Sequence, residues 1–217
     1  MTLAKYSQTG IIKLPKKMFI TLFAIILFVG IFLFLFWQKL KEDYVATQIF
    51  TSASYVMFFA LVCFCIAYIV NPKAWFWLEV IGCIGGLAVA VKRQRIRPTE
   101  IMEAFVAATL PVFTGINIIY YLKPGLFEFI FIPILLVILN IIFLFLKSHY
   151  KKFTWYKSGR VGFASLAILI IFFLSRTILA IFFDNVLSFW LDKEFYLSAF
   201  LTTLCLGGLY KLSIKSV

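Results

Sequence analysis

The chain has 217 residues, 64% of them hydrophobic and 19% aromatic, with a net charge of +12. A soluble domain carries roughly 45–50% apolar and roughly 25% charged residues; here 14% are charged and most sit in short clusters between long apolar runs, which excludes that class and predicts a membrane protein. In such a protein the positive charge is explained by the positive-inside rule and anionic headgroups, which removes nucleic acid as an expected partner.

Crossing a bilayer takes roughly 20 apolar residues. The first candidate, Met18 to Trp37, follows Lys13, Lys16 and Lys17; it is too long for the core of a signal peptide and no small-residue cleavage pattern follows, so it reads as a retained helix. Thr47 to Val70 is the second. The third, Ala74 to Val91, is short and carries Glu79 with Gly82, Gly85 and Gly86, a spacing that suits close helix contact. The basic cluster "KRQRIRPTE" after it reads as a solvated loop rather than a specific site.

Ile101 to Leu122 and Leu126 to Leu146 are the fourth and fifth candidates, and their mid-span Asn117 and Asn140 are expected to hydrogen-bond between helices. Val161 to Phe183 and Phe195 to Leu212 complete seven. The expected fold is therefore all-α: a polytopic membrane protein with about seven transmembrane helices in one bundle, a single domain over residues 1–217. The cysteines Cys63, Cys65, Cys83 and Cys205 lie inside apolar runs and read as small buried hydrophobes, with neither a metal nor a disulfide indicated. His149 falls in a basic loop, where an exposed role is expected.

Orientation follows from the basic residues. One set of connections carries Lys39, Lys41, Lys92, Arg93, Arg95, Arg97, Lys147, Lys151, Lys152, Lys157, Arg160, Lys211 and Lys215; the other carries Lys5, Lys13, Lys16, Lys17, Lys73, Lys123 and Lys193. The heavier set marks the inside, which puts the amino terminus outside and the carboxyl terminus inside.

Arg176 sits alone in "FFLSRTILAIFFDN", in the outer half of the sixth span. A charged side chain near the bilayer centre costs at least about 2.5 to 3.5 kcal/mol, so it faces protein, water or a headgroup. Three carboxylates fall at similar depth: Asp184 on the same segment, Glu128 and Glu79, of which Glu128 is the expected partner. The structural role is an interhelical ion pair; the functional one is a guanidinium fork gripping a lipid phosphate. Arg176, Glu128 and Asp184 are therefore the candidate lipid-binding residues, and no metal set or Ser, His and Asp arrangement is visible.

The order of these landmarks resembles a known family, the bacterial phosphatidylglycerol:prolipoprotein diacylglyceryl transferases, over most of the chain. "GIIKLPKKMFITLFAIILFVG" is similar to the family's opening helix, "SASYVMFF" to its "GARLGYVLFY", "IGCIGGLAVAV" to "SFHGGLIG", "KPGLFEF" to "HPTQLYEA", and "SGRVGF" with "FFLSRTILAIFFDN" to "GRLFG" with "GIGRFLIEFLRPD". This places Arg176 on a family arginine, Asp184 on its aspartate and Glu128 on its glutamate. The family's histidine falls on Ile84, its "GRIGNFINGE" near Ile118, Ile119, Tyr120 and Tyr121, and its last glutamate and second arginine on Ala180 and Phe183, none of which retains the acid, base or cation.

The resemblance implies a bacterial inner-membrane protein that keeps a lipid contact and lacks the transfer chemistry, because thiol activation and phosphate stabilisation need positioned titratable groups and cations. Membrane phospholipid, phosphatidylglycerol by the family's substrate, and a lipoprotein or other membrane subunits are the implied partners; no catalytic residue and no cofactor is implied. An active transferase rebuilt around Tyr120, Tyr121 or Lys123 is the alternative, and a small-solute transporter lined by Arg176 and Asn140 a further one, disfavoured by the lack of an internal repeat.

Overall fold

The computed structural model describes residues 16–122, 129–150, 161–183, 188–190 and 193–214, and among these the regular structure is helical throughout. Among the described residues seven long helices follow one another: α1 (Lys16–Leu40), α2 (Ala46–Val70), α3 (Trp75–Gln94), α4 (Pro98–Tyr121), α5 (Phe131–His149), α6 (Phe163–Phe182) and α7 (Lys193–Ser213), with a 3-10 turn at Pro72–Ala74 between α2 and α3. All seven are long and apolar enough to cross a membrane.

Prolines punctuate these elements where the missing N–H does least harm. Pro98 opens α4 and Pro133 falls in the first turn of α5, positions whose amides have no partner inside a helix. Pro111 lies within α4 and withholds a donor from the carbonyl one turn earlier.

Two glycines set the tightest seam. A Cβ added at Gly82 would lie 2.6 Å from the Phe59 carbonyl oxygen, and one at Gly86 would lie 2.6 Å from the Val56 Cα. No side chain fits in either gap, so α2 and α3 touch backbone to backbone, as the glycine spacing predicts.

The buried side chains show how the helices alternate. Phe36 and Leu40 late in α1, Ala90 late in α3, Ile49 and Ala53 early in α2, and Ile101 and Ala104 early in α4 form one cluster, so these ends lie together. Phe76 and Trp77 at the start of α3 join Phe173 late in α6 and Leu197 and Leu201 early in α7 at the opposite end. Between them, Val106, Leu110, Leu136, Leu139, Phe143 and Ile168 fill the space among α4, α5 and α6. Large apolar side chains such as Ile69 and Phe200 are exposed, the surface expected of helices whose solvent is lipid.

Candidate functional site

Arg176 is 5% exposed, and its guanidinium is held on every side. The partner is Glu194, in the first turn of α7: Arg176 Nε donates to Glu194 Oε1 at 2.8 Å, and Nη2 lies 2.6 Å from the same oxygen. Nη1 donates to the Ser188 hydroxyl at 2.6 Å and Nη2 to the Ser188 carbonyl at 2.9 Å. The Phe76 ring centre lies 4.0 Å and the Phe189 ring centre 4.9 Å from the guanidinium carbon, so the cation packs against aromatic faces.

The carboxylate is met as fully as the cation. Glu194 is fully buried. Besides Arg176 it accepts from Trp77 Nε1 at 2.8 Å, from Ser198 Oγ at 2.8 Å and from the Trp190 amide at 3.3 Å. Its place at the start of α7 also sets a negative charge at the positive end of the helix dipole. Ser198 reaches Glu194 because the two are four residues apart on one helix face. The cluster thus ties α3, α6, α7 and the segment before α7 into one charge-balanced unit.

Beside it lies a small cavity of about 30 Å³, roughly the space of one water. Among the described residues, Arg176, Asn117, Ser175 and Ser188 supply its polar lining, the remainder is Phe, Leu and Ile, and Arg176 is the one titratable group in that described wall.

A second buried carboxylate lies at the other end of the bundle. Glu103 of α4 is 2% exposed. Its Oε1 is 2.6 Å from Lys39 Nζ of α1, and its Oε2 accepts the Gly162 amide at 2.8 Å, directly before α6. Gly162 has φ +108, and a Cβ there would come within 3.0 Å of the Thr99 Cβ, so this position calls for glycine twice over.

Of the three residues singled out in the sequence, Arg176 lies in the first cluster, while Glu128 and Asp184 fall outside the described residues. The carboxylate that meets Arg176 is Glu194, not Glu79, which stands half-buried on α3. Asn140 links helices as expected, donating to Thr114 Oγ1 at 2.8 Å, whereas Asn117 turns back to the Phe113 carbonyl of its own helix. Ile84 and Ile119 are each 55% exposed and lie outside the buried core. Tyr121 is buried at 1% exposure, and Lys123 lies outside the described residues.

Glu194 escaped the sequence reading because it directly precedes the last apolar run and looks like a loop residue. Its signal was the run itself: a helix that takes Glu194 into its first turn sets the carboxylate at the depth of Arg176.

Seven membrane-length apolar helices and buried polar clusters joining them define a multi-pass helical membrane protein. No family model, no curated protein and no solved structure matches the chain.

Proposed function

We propose that this is a multi-pass protein of a bacterial inner membrane, amino terminus outside and carboxyl terminus inside. It is a non-catalytic, divergent relative of the diacylglyceryl transferases that handles lipid or lipoprotein as a subunit of a membrane assembly. The observation that carries the reading is the cavity beside Arg176. Its described wall sets one cation, two hydroxyls and an amide among apolar side chains, with room beside the cation for a water-sized polar group, and among the described residues it holds no group able to take a proton from a thiol. The lost family groups at Ile84, Ala180 and Phe183 point the same way.

The test is diacylglyceryl transfer by the purified protein from labelled phosphatidylglycerol to a precursor peptide bearing the acceptor cysteine, beside an authentic transferase. No transfer with an active control supports the reading; transfer above background overturns it and directs attention to Tyr120, Tyr121, Lys123 and Glu128. Phosphatidylglycerol retained in native mass spectrometry reports the lipid role. The paired variant Arg176→Leu with Glu194→Leu, which leaves neither partner of this pair buried alone, is expected to retain one phosphatidylglycerol fewer than wild type; an unchanged number retained removes Arg176 from that role.

A further inference from the structure

We propose that the turn between α3 and α4 is a built binding site for the phosphodiester headgroups of anionic phospholipids, separate from the Arg176 cluster and at the opposite end of the bundle. Lys92, Arg93, Arg95 and Arg97 are all exposed there within six positions. From sequence alone such a run is a solvated loop; here the turn is fastened from three directions.

Ile96, between the two arginines, is 2% exposed and belongs to the core cluster below, so Arg95 and Arg97 are carried on an anchored residue. The Tyr44 hydroxyl accepts the Arg97 amide at 3.2 Å and donates to Glu100 at 2.5 Å, tying the turn to the α1–α2 connection. Gln48 of α2 donates to the Gln94 carbonyl at 3.5 Å. Arg95 sits in the left-handed region at φ 56, ψ 29, the one non-glycine residue with positive φ among those described. That conformation ends α3 and turns the chain toward α4.

The charge balance selects the ligand. Glu100, the carboxylate of the turn, is taken by Tyr44 and by Arg97 at 3.1 Å. Lys92, Arg93 and Arg95 make no ion pair among the described residues. The turn joins two membrane-length helices, which sets these cations at headgroup level, where a guanidinium fork meets a phosphate through two parallel hydrogen bonds. A fixed turn gives up little freedom on binding, which separates a site from a diffuse basic patch.

The experiment uses the full chain in phosphatidylcholine nanodiscs with rising phosphatidylglycerol, reading by native mass spectrometry which lipid is retained. Read in the Arg176→Leu, Glu194→Leu background so that the two sites are counted apart, Arg95→Gln is expected to weaken retention of phosphatidylglycerol about five-fold, and Arg93→Gln, Arg95→Gln and Arg97→Gln together on the order of a hundred-fold. Lys73→Gln, beyond the opposite end of α3, is expected to leave it unchanged. The single variant keeps the test informative if the triple one misfolds. Retention equal to that background in Arg95→Gln, or an equal loss in Lys73→Gln, overturns the proposal.

Discussion

Glu194 and Glu103 are both carboxylates removed from solvent, at opposite ends of one helical bundle, and they are stabilised by different means. Glu194 takes two contacts from a guanidinium, one from an indole, one from a hydroxyl and one from an amide, and its cation is as buried as it is. Glu103 takes one ammonium and one amide, and Lys39 remains 22% exposed. Deep in the bundle a charge survives only when every lone pair and every N–H is met; near the surface a flexible cation with access to water is enough.

The largest expected effect breaks the deep pair on one side. Glu194→Leu strands a buried guanidinium and is expected to destabilise by about 3–5 kcal/mol, read by tryptophan fluorescence during unfolding in detergent, while the double change with Arg176→Leu recovers most of the loss. A single variant as stable as wild type would erase the distinction between the two ends.

Glu103→Leu is expected to lose about 2 kcal/mol, less than Glu194→Leu, because Lys39 can turn to water and one backbone amide is left unpaired. Equal losses at the two carboxylates would show that their depth makes no difference. Gly162→Ala sharpens the same region by straining the backbone at φ +108 and crowding Thr99, at an expected 1–3 kcal/mol or about that; the same melts check it.

Tyr44→Phe should be the smallest, about 0.5–1 kcal/mol for a part-exposed hydrogen bond. Burial, with Glu100 adding to it against the Arg97 amide, raises the Tyr44 hydroxyl above its ordinary value, so the fold favours the neutral phenol. Its contribution is then fully present below pH of about 10 and is lost as pH rises through the raised value. The stability gap between wild type and Tyr44→Phe should hold from neutral pH to about 10 and close above it; a gap that widened there would contradict the assignment.

The helices were legible because each is a continuous apolar run. Even the third candidate, with its glutamate and three glycines, forms α3, since the glycines weaken its hydropathy but fit it against α2. The pairing of Arg176 was not legible. Chain separation says nothing about which helix ends meet, and Glu194, 18 residues on, returns to the depth of Arg176 only because α7 folds back along α6. Glu103 was equally hidden, as a charge at the third residue of a predicted span looks like an interfacial residue until Lys39 and Gly162 are seen around it.

The distance in sequence between Arg176 and Glu194 also bears on how the chain is made. When α6 emerges from the ribosome its arginine has no counter-charge, and an unpaired arginine opposes partition into lipid by about 2.5–3.5 kcal/mol. The carboxylate follows 18 residues later, at the head of α7. The two segments are thus coupled during biogenesis: α6 gains its full affinity for the bilayer only when α7 is there to enter with it as a hairpin.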